Sequence, residues 1–122
     1  MITFEDFKQV EIRMGKIISC EKVENADKLL RLQVDFGPAE QGLEERMIRQ
    51  IISGIAESYT PEELVGKTLP FVVNLEYRKF KGEESQGMLV ATTSNVAGAR
   101  TGADNVVLLE PNRKIEPGAE VV

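Results

Sequence analysis

The sequence predicts an all-β domain, a small barrel of five short strands with one short helix between the third and the fourth strand. Several short segments alternate apolar with polar side chains, which is the period of a half-buried strand. Glycine, proline, asparagine and aspartate separate these segments, as expected at turns. Within the predicted barrel, residues 59–67 carry the start and stop signals of a helix.

The chain begins with a short predicted helix, "TFEDF" (residues 3–7). Thr3 is a candidate N-cap, and Asp6 completes a capping box with it. Phe4 and Phe7 share one face of this helix. A barrel this small offers few partners to two aromatic rings that precede it, so this face is a candidate contact surface.

Three predicted strands follow the helix. Alternation that begins at Val10 predicts the first strand, and Gly15 within it suggests a β-bulge. The segment "VENAD" (residues 23–27) is a predicted turn, and residues 37–45 are a predicted polar loop. The predicted second and third strands are residues 30–36 and 46–53.

The helix within the barrel is predicted from "YTPEELVGK" (residues 59–67). Thr60 is placed as the N-cap, Pro61 as the first helical residue and Glu63 as the second half of a capping box. Gly66 is a typical helix stop. The sequence therefore predicts a helix of only one or two turns.

The remainder of the chain is predicted as short strands and loops. The fourth and fifth strands are residues 68–74 and 87–93, a glycine-punctuated loop covers 94–105, and "VVLLEP" (106–111) and "AEVV" (119–122) are closing strands separated by a turn at Pro117-Gly118. This order is that of a five-stranded OB-fold Greek-key barrel with terminal extensions. Spacing alone leaves another small barrel or a sandwich open. One domain, residues 1–122, is expected, with an N-terminal helix (1–9), a barrel (10–93) and a C-terminal extension (94–122).

Composition narrows the chemistry that the protein can perform. Its 122 residues include no histidine, the most common general base and the most common side-chain ligand of metals. The single cysteine, Cys20, excludes an internal disulfide, suits a reducing compartment and is interpreted as packed, unreactive sulfur. No segment has the pattern of a membrane span or a signal peptide. We therefore expect a cytoplasmic, non-catalytic protein without a metal, a cofactor or a membrane partner.

One basic cluster stands out in a chain of net charge −5. In "NLEYRKFKGEESQGM" (residues 74–88), Arg78, Lys79 and Lys81 lie close together ahead of two glycines. Such a cluster could bind phosphates, because cations gain affinity by releasing counterions from a nucleic acid. Charge by itself slightly favours the simpler interpretation, a solvated turn.

Three stretches of the chain resemble one family: "ENADKLLRLQVDFG" (24–37), "RQIISGIAESYTPEELVGK" (49–67) and "NLEYRKFKGEESQGMLVA" (74–91). Together they resemble the dimeric tRNA-binding OB domain. That domain occurs as free-standing proteins, at the C-terminus of many bacterial methionyl-tRNA synthetases and in the eukaryotic synthetase-associated cytokine precursor. The resemblance runs from about Phe4 to the end of the chain. It implies tRNA as a partner, a homodimer, and association with an aminoacyl-tRNA synthetase as a further expectation.

The resemblance implies where tRNA would bind. The candidate tRNA-binding residues are Asn25, Lys28, Asn74, Arg78, Lys79, Lys81, Ser85 and Met88. For some of them a structural role is an open alternative: Asn25 as a turn residue, Ser85 as a turn residue and Met88 as a core filler. Phe4 and Phe7 are the candidate dimer contacts.

The chain departs from the family at Tyr77, where a proline commonly precedes the Arg-Lys pair. Loss of a residue that restricts φ could loosen the loop. The aromatic ring could instead offer a stacking surface to a base.

Two alternative functions remain open at this stage. The first is a CsaA-like export chaperone that binds unfolded polypeptide, a group similar to this chain in the closing "VVLLEP" segment. The intact "NADKLL" and "SQGML" stretches favour tRNA binding over this alternative. The second is an association module that tethers a synthetase to partners. The start at Met1 suggests a free-standing protein, although a synthetase subunit or an excised domain would have the same sequence.

Overall fold

A curled, five-stranded antiparallel sheet forms the body of the protein in the computed structural model, which describes residues 1–40, 44–94 and 105–122. The elements are α1 (Phe4–Lys8), β1 (Ile12–Lys22), β2 (Leu30–Pro38), β3 (Arg46–Ser53), α2 (Pro61–Leu64), β4 (Thr68–Val72), β5 (Arg78–Phe80), β6 (Glu83–Ser85), β7 (Met88–Leu89), β8 (Ala91–Thr93) and β9 (Val106–Leu108). The sheet has the strand order β3-β2-β1-β4-β7, and β5-β6 and β8-β9 form two separate pairs. The mostly β fold, with its helix between β3 and β4, confirms the prediction and is consistent with an OB-like barrel.

Ser85 at the end of β6 and Gln86 just beyond it form hydrogen bonds with the edge of β3. The backbone N–H of Gln86 donates to the Gln50 carbonyl (2.8 Å), and the Gln50 N–H donates to the Gln86 side-chain oxygen (3.0 Å). The Ile52 N–H donates to the Ser85 hydroxyl oxygen (2.9 Å). These bonds satisfy backbone donors that a free strand edge would leave open.

The core lies inside the curled sheet and confirms the predicted alternation of β2. Leu30, Leu32 and Val34 are buried, whereas the residues between them are partly exposed. Phe71 of β4 packs edge-on against Phe36, with ring centroids 5.5 Å apart. The side chains with essentially no exposed surface are Phe71, Ile17, Leu30, Leu32, Ile51, Leu64, Leu69 and Val34. Burying each one fully contributes about 1.5–3 kcal/mol.

Both predicted helices are present with the predicted caps. The Thr3 hydroxyl accepts from the Asp6 N–H, and the Asp6 carboxylate accepts from the Thr3 N–H, each at 3.1 Å. Thr60 and Glu63 form the second capping box, with Pro61 opening the helix. The third strand has its predicted bounds, and the turn at residues 117–118 is also present.

The predicted bulge at Gly15 is wrong. Gly15 pairs regularly with Leu69, and the irregularity of β1 lies between Ile17 and Ser19. Packing explains the glycine, because a Cβ there would lie 2.5 Å from Val34 Cγ1 and 2.7 Å from a ring carbon of Phe36. Gly15 is therefore a site where the core approaches the backbone of β1.

Several predicted strands differ from those in the structure. The fourth strand ends at Val72, and the predicted fifth strand divides into β7, which pairs with β4, and β8, which pairs with β9. The segment "AEVV" makes one isolated bridge, between Glu120 and Arg13, because β1 bonds most of its length to other strands. The predicted loops at 37–45 and 94–105 fall partly outside the described residues.

Candidate nucleic-acid interface

The basic segment forms a β-hairpin. β5 and β6 pair in register, with Lys79 opposite Glu84. Lys81 and Gly82 form the connecting turn with φ values of 52° and 82°. A two-residue hairpin with positive φ at both positions matches a type I′ turn, whose twist suits the flanking strands. The segment is therefore an ordered hairpin whose tip carries a lysine.

An arginine of the main sheet anchors this hairpin. Arg31 of β2 forms ion pairs with Glu83 of β6 and with Glu21 of β1, the latter at 2.8 Å. The hydrogen bond that the Arg31 side chain donates to the Glu21 carboxylate is the largest cause of the raised pKa of Arg31. On the hairpin itself, the Arg78 guanidinium lies 4.9 Å from the Phe80 ring centroid, a cation–π contact. These contacts set the hairpin's position against the sheet.

A shallow groove of about 630 Å³ separates the hairpin from the turn between β1 and β2. Its lining consists of Asn25, Ala26, Asp27, Lys28, Leu29, Lys79, Phe80 and Lys81. Among these described residues three are lysines and one is acidic, so the groove is locally positive in an acidic chain. We call it the hairpin groove. Lys28, Lys79 and Lys81 are all candidate tRNA-binding residues from the sequence, and the structure brings these three together.

The turn that supplies Lys28 is stabilised by its own backbone. Asn25 has φ 60°, a left-handed conformation that asparagine tolerates better than most residues. The Ala26 N–H donates to the Val23 carbonyl (3.2 Å), and the Leu29 N–H donates to the Ala26 carbonyl (3.1 Å). This geometry supports a structural role for Asn25, while its exposed side chain still lines the groove.

Two of the candidate residues use their polar atoms within the protein. Ser85 is 3% exposed, and its hydroxyl accepts from the Ile52 N–H (2.9 Å) and donates to the Gly87 carbonyl (2.8 Å). The prediction that Ser85 contacts RNA does not fit this burial. The Asn74 side chain accepts from the Glu11 N–H (2.8 Å) and donates to the Gln9 carbonyl (2.7 Å), which ties β4 to the end of α1.

Other candidates are on the surface. Met88 is 48% exposed, so the alternative that it fills the core is wrong. All five residues of α1 are exposed, including Phe4 (72%) and Phe7 (38%). Tyr77, which precedes the hairpin, is also exposed.

Sequence reasoning missed the residues that position the hairpin groove. Phe80 and Leu29 supply its apolar floor, and Arg31 anchors the hairpin from another strand. The sequence offered one indication, the alternation that placed Arg31 on the opposite face of β2 from the core leucines. Its pairing with Glu83 depends on the curl of the sheet, which no local pattern encodes.

The described residues give little support to a reactive thiol, a metal site or a membrane-spanning helix. Burial, with added effects of the Glu62 and Glu21 carboxylates, raises the pKa of the Cys20 thiol to about 11. Cys20 is therefore protonated at neutral pH and a poor nucleophile, as predicted. Within the three described ranges, no group of three histidine, cysteine or carboxylate side chains is placed to hold a metal ion. Among the helices in those ranges, none is long and apolar enough to span a membrane.

The structural role of Ser85 leads to a stability prediction. We expect Ser85→Ala to lower the free energy of unfolding by about 1–3 kcal/mol, because the buried Ile52 N–H loses its acceptor. Urea denaturation measures this change. The matched control is Ser19→Ala, at an exposed serine of β1, with an expected change within about 0.5 kcal/mol. Unchanged stability of the Ser85 variant, combined with weakened RNA binding, would contradict this role.

Sequence comparison relates the chain to tRNA-associated proteins. Residues 12–120 match the family model described as "Putative tRNA binding domain". The chain is 41% identical over 120 residues to a methionine–tRNA ligase of Archaeoglobus fulgidus and 45% identical over 120 residues to that of Thermotoga maritima. Each alignment covers 98% of this chain and 16% of the relative, so the chain spans about a sixth of the length of these ligases.

Structure comparison gives two kinds of neighbour. A protein related to methionyl-tRNA synthetase from Pyrococcus horikoshii has a TM-score of 0.82 at 34% identity, covering 100% of this chain and 98% of that one. The chaperone CsaA of Bacillus anthracis has a TM-score of 0.79 at 27% identity, covering 100% of this chain and 99% of that one. The fold is therefore similar to proteins with two different described roles.

Proposed function

Because the chain belongs to the tRNA-binding domain family, we propose that it is a non-catalytic module that binds folded tRNA. The hairpin groove carries this proposal. It brings Lys28 together with Lys79 and Lys81 on an ordered surface of a chain whose net charge is −5. A confined positive groove favours a polyanion with a defined shape over bulk attraction to any nucleic acid.

The mechanism that we propose is recognition of RNA shape and backbone. The lysines of the groove act as point charges toward phosphates, whereas the planar Arg78 guanidinium can bind a phosphate through two parallel hydrogen bonds. Exposed Met88 and Tyr77 offer apolar surface to unstacked bases. Contacts of these kinds provide little sequence specificity. Because the proposed ligand is tRNA, we propose that the protein acts in the cytoplasm.

The proposal is tested by titration of the protein with bulk tRNA, an RNA stem-loop of equal charge and an unfolded peptide. We expect tRNA to bind more tightly than the stem-loop, and its affinity to fall steeply as salt rises from low to moderate concentration. Fluorescence anisotropy at several salt concentrations measures both effects. Equal binding of tRNA and stem-loop would contradict shape recognition, and tight binding of the peptide without a tRNA effect would favour the chaperone alternative.

That alternative has one observation in its favour beyond the fold. Among the described residues, α1 presents Phe4 and Phe7 to solvent, and apolar surface of this kind suits unfolded polypeptide as well as a second copy. Binding of unfolded polypeptide does not explain why the hairpin groove is locally positive. We therefore propose tRNA as the ligand and keep unfolded polypeptide as the alternative.

We also propose that the protein is a homodimer. The exposed face of α1 would be buried against a second copy, with Phe4 and Phe7 of the N-terminal segment 1–9 in the contact. A two-fold axis would then present two hairpin grooves on one extended surface. Association with an aminoacyl-tRNA synthetase would use the same module, since the related ligases carry it within longer chains.

Light scattering at micromolar concentration tests the dimer. We expect twice the monomer mass for the wild-type protein and the monomer mass for Phe4→Ser combined with Phe7→Ser. Ile18→Ser, at an exposed apolar residue of β1, is the control and should leave the dimer intact. A wild-type monomer would refute the proposal.

A further inference from the structure

A second basic groove lies at the end of β4 away from the hairpin. It encloses about 940 Å³ between the start of β4 and the C-terminal segment. Lys16 and Lys67 face it from one side, and Arg113 and Lys114 from the other. We call it the C-terminal groove.

The C-terminal groove has an excess of positive charge. Among its described lining residues four are cationic and two, Glu110 and Glu116, are acidic. Lys67 is paired with Glu110 at 2.7 Å, so these two charges offset one another. Lys16, Arg113 and Lys114 are exposed, with Glu116 as the opposing charge. The groove therefore presents a net positive surface, as the hairpin groove does.

Backbone hydrogen bonds hold the C-terminal wall of this groove in place. The Gly118 N–H donates to the Met14 carbonyl (2.7 Å), and the Met14 N–H donates to the Ala119 carbonyl (2.8 Å). The Arg13 guanidinium donates to the Gly118 carbonyl (2.9 Å). Because the segment is bonded to β1 just beyond Pro117, the wall that carries Arg113 and Lys114 is fixed against β1, which lowers the entropic cost of binding a ligand.

We propose that the C-terminal groove is a second phosphate-binding site, which extends the RNA footprint beyond the hairpin groove. This inference rests on the proposed tRNA-binding function. Its exposed cations would displace counterions from the RNA backbone and would make no base-specific contacts. β4 separates the groove from the strand end that leads to the hairpin by about 15 Å. A folded RNA is long enough to contact both grooves at once.

The test measures the salt dependence of bulk tRNA binding for the wild-type protein and two variants. We expect Arg113→Ala combined with Lys114→Ala to weaken binding roughly tenfold at low salt and to reduce the slope of log affinity against log salt by about 2. Glu116→Gln removes the opposing carboxylate of the same groove and should tighten binding severalfold.

The outcomes separate this inference from the proposed function. If the wild-type protein binds tRNA and both variants retain its affinity and salt slope, the C-terminal groove is not an RNA site and the proposed function stands. If the wild-type protein shows no salt-dependent tRNA binding, both proposals fall. Loss of affinity in the double variant with an unchanged salt slope would also overturn the inference, because phosphate contacts must change the slope. Urea denaturation confirms that each variant is folded.

Discussion

Lys28→Glu combined with Lys79→Glu is expected to weaken tRNA binding by roughly a hundredfold or more at low salt, the largest functional effect predicted for this protein. The two lysines come from separate segments and face one groove. The substitutions remove two candidate phosphate contacts and introduce two carboxylates, which repel the RNA backbone. Anisotropy titration with bulk tRNA measures the change.

The matched control keeps the charge at both positions. Lys28→Arg combined with Lys79→Arg should bind within a few fold of the wild-type protein, because both substitutions keep the positive charge that releases counterions from the RNA backbone. The single Lys28→Glu and Lys79→Glu variants show how much each lysine contributes to tRNA binding. An effect confined to Lys79 would restrict the site to the hairpin, and wild-type affinity in the double variant would exclude the hairpin groove altogether.

The largest stability effect of a single added methyl group is expected at Gly118. Its φ is 94°, and a Cβ there would lie 2.3 Å from the backbone carbonyl oxygen of Phe36. Gly118→Ala therefore combines the cost of a left-handed backbone with an overlap that no side-chain rotation relieves. We expect a loss of about 2–4 kcal/mol in the free energy of unfolding, measured by urea denaturation.

Gly66 provides the control for this prediction. Its φ of 92° is nearly that of Gly118, but a Cβ there would have no heavy atom within 4 Å. Gly66→Ala should cost about 1–2 kcal/mol, from the backbone conformation alone. The difference between the variants isolates the overlap with β2, and equal losses would show that the C-terminal segment moves away at little cost.

Local chemistry accounts for the parts of the fold that the sequence predicted well. Both capping boxes join residues three apart, so Thr3 with Asp6 and Thr60 with Glu63 were visible without tertiary information. The burial pattern of β2 follows from the two-residue period of a strand, and β3 also has its predicted bounds. The hairpin was seen as a basic cluster for the same reason, since its cations are neighbours in sequence.

Contacts with residues remote in sequence determine the roles of two residues, Gly15 and Ser85. Gly15 was interpreted as a bulge, but the side chains of Val34 and Phe36 are what exclude a Cβ there. The hydroxyl of Ser85, a predicted RNA contact, accepts a hydrogen bond from the edge of β3, more than thirty residues away in the chain. Gly15 was interpreted from local pattern and Ser85 from the family resemblance, and neither contact leaves a trace in the neighbouring sequence.

The sequence by itself therefore determined the all-β class, the caps and the existence of a basic segment, because these depend on residues within a few positions of one another. Only the tertiary structure showed that Lys28 and Lys79 line one groove and that Ser85 is buried. It also showed that Arg113 and Lys114 line the same groove as Lys16. Curling the sheet brings remote strands together, and those juxtapositions depend on packing across the barrel. The RNA-binding surfaces proposed here are products of that curl.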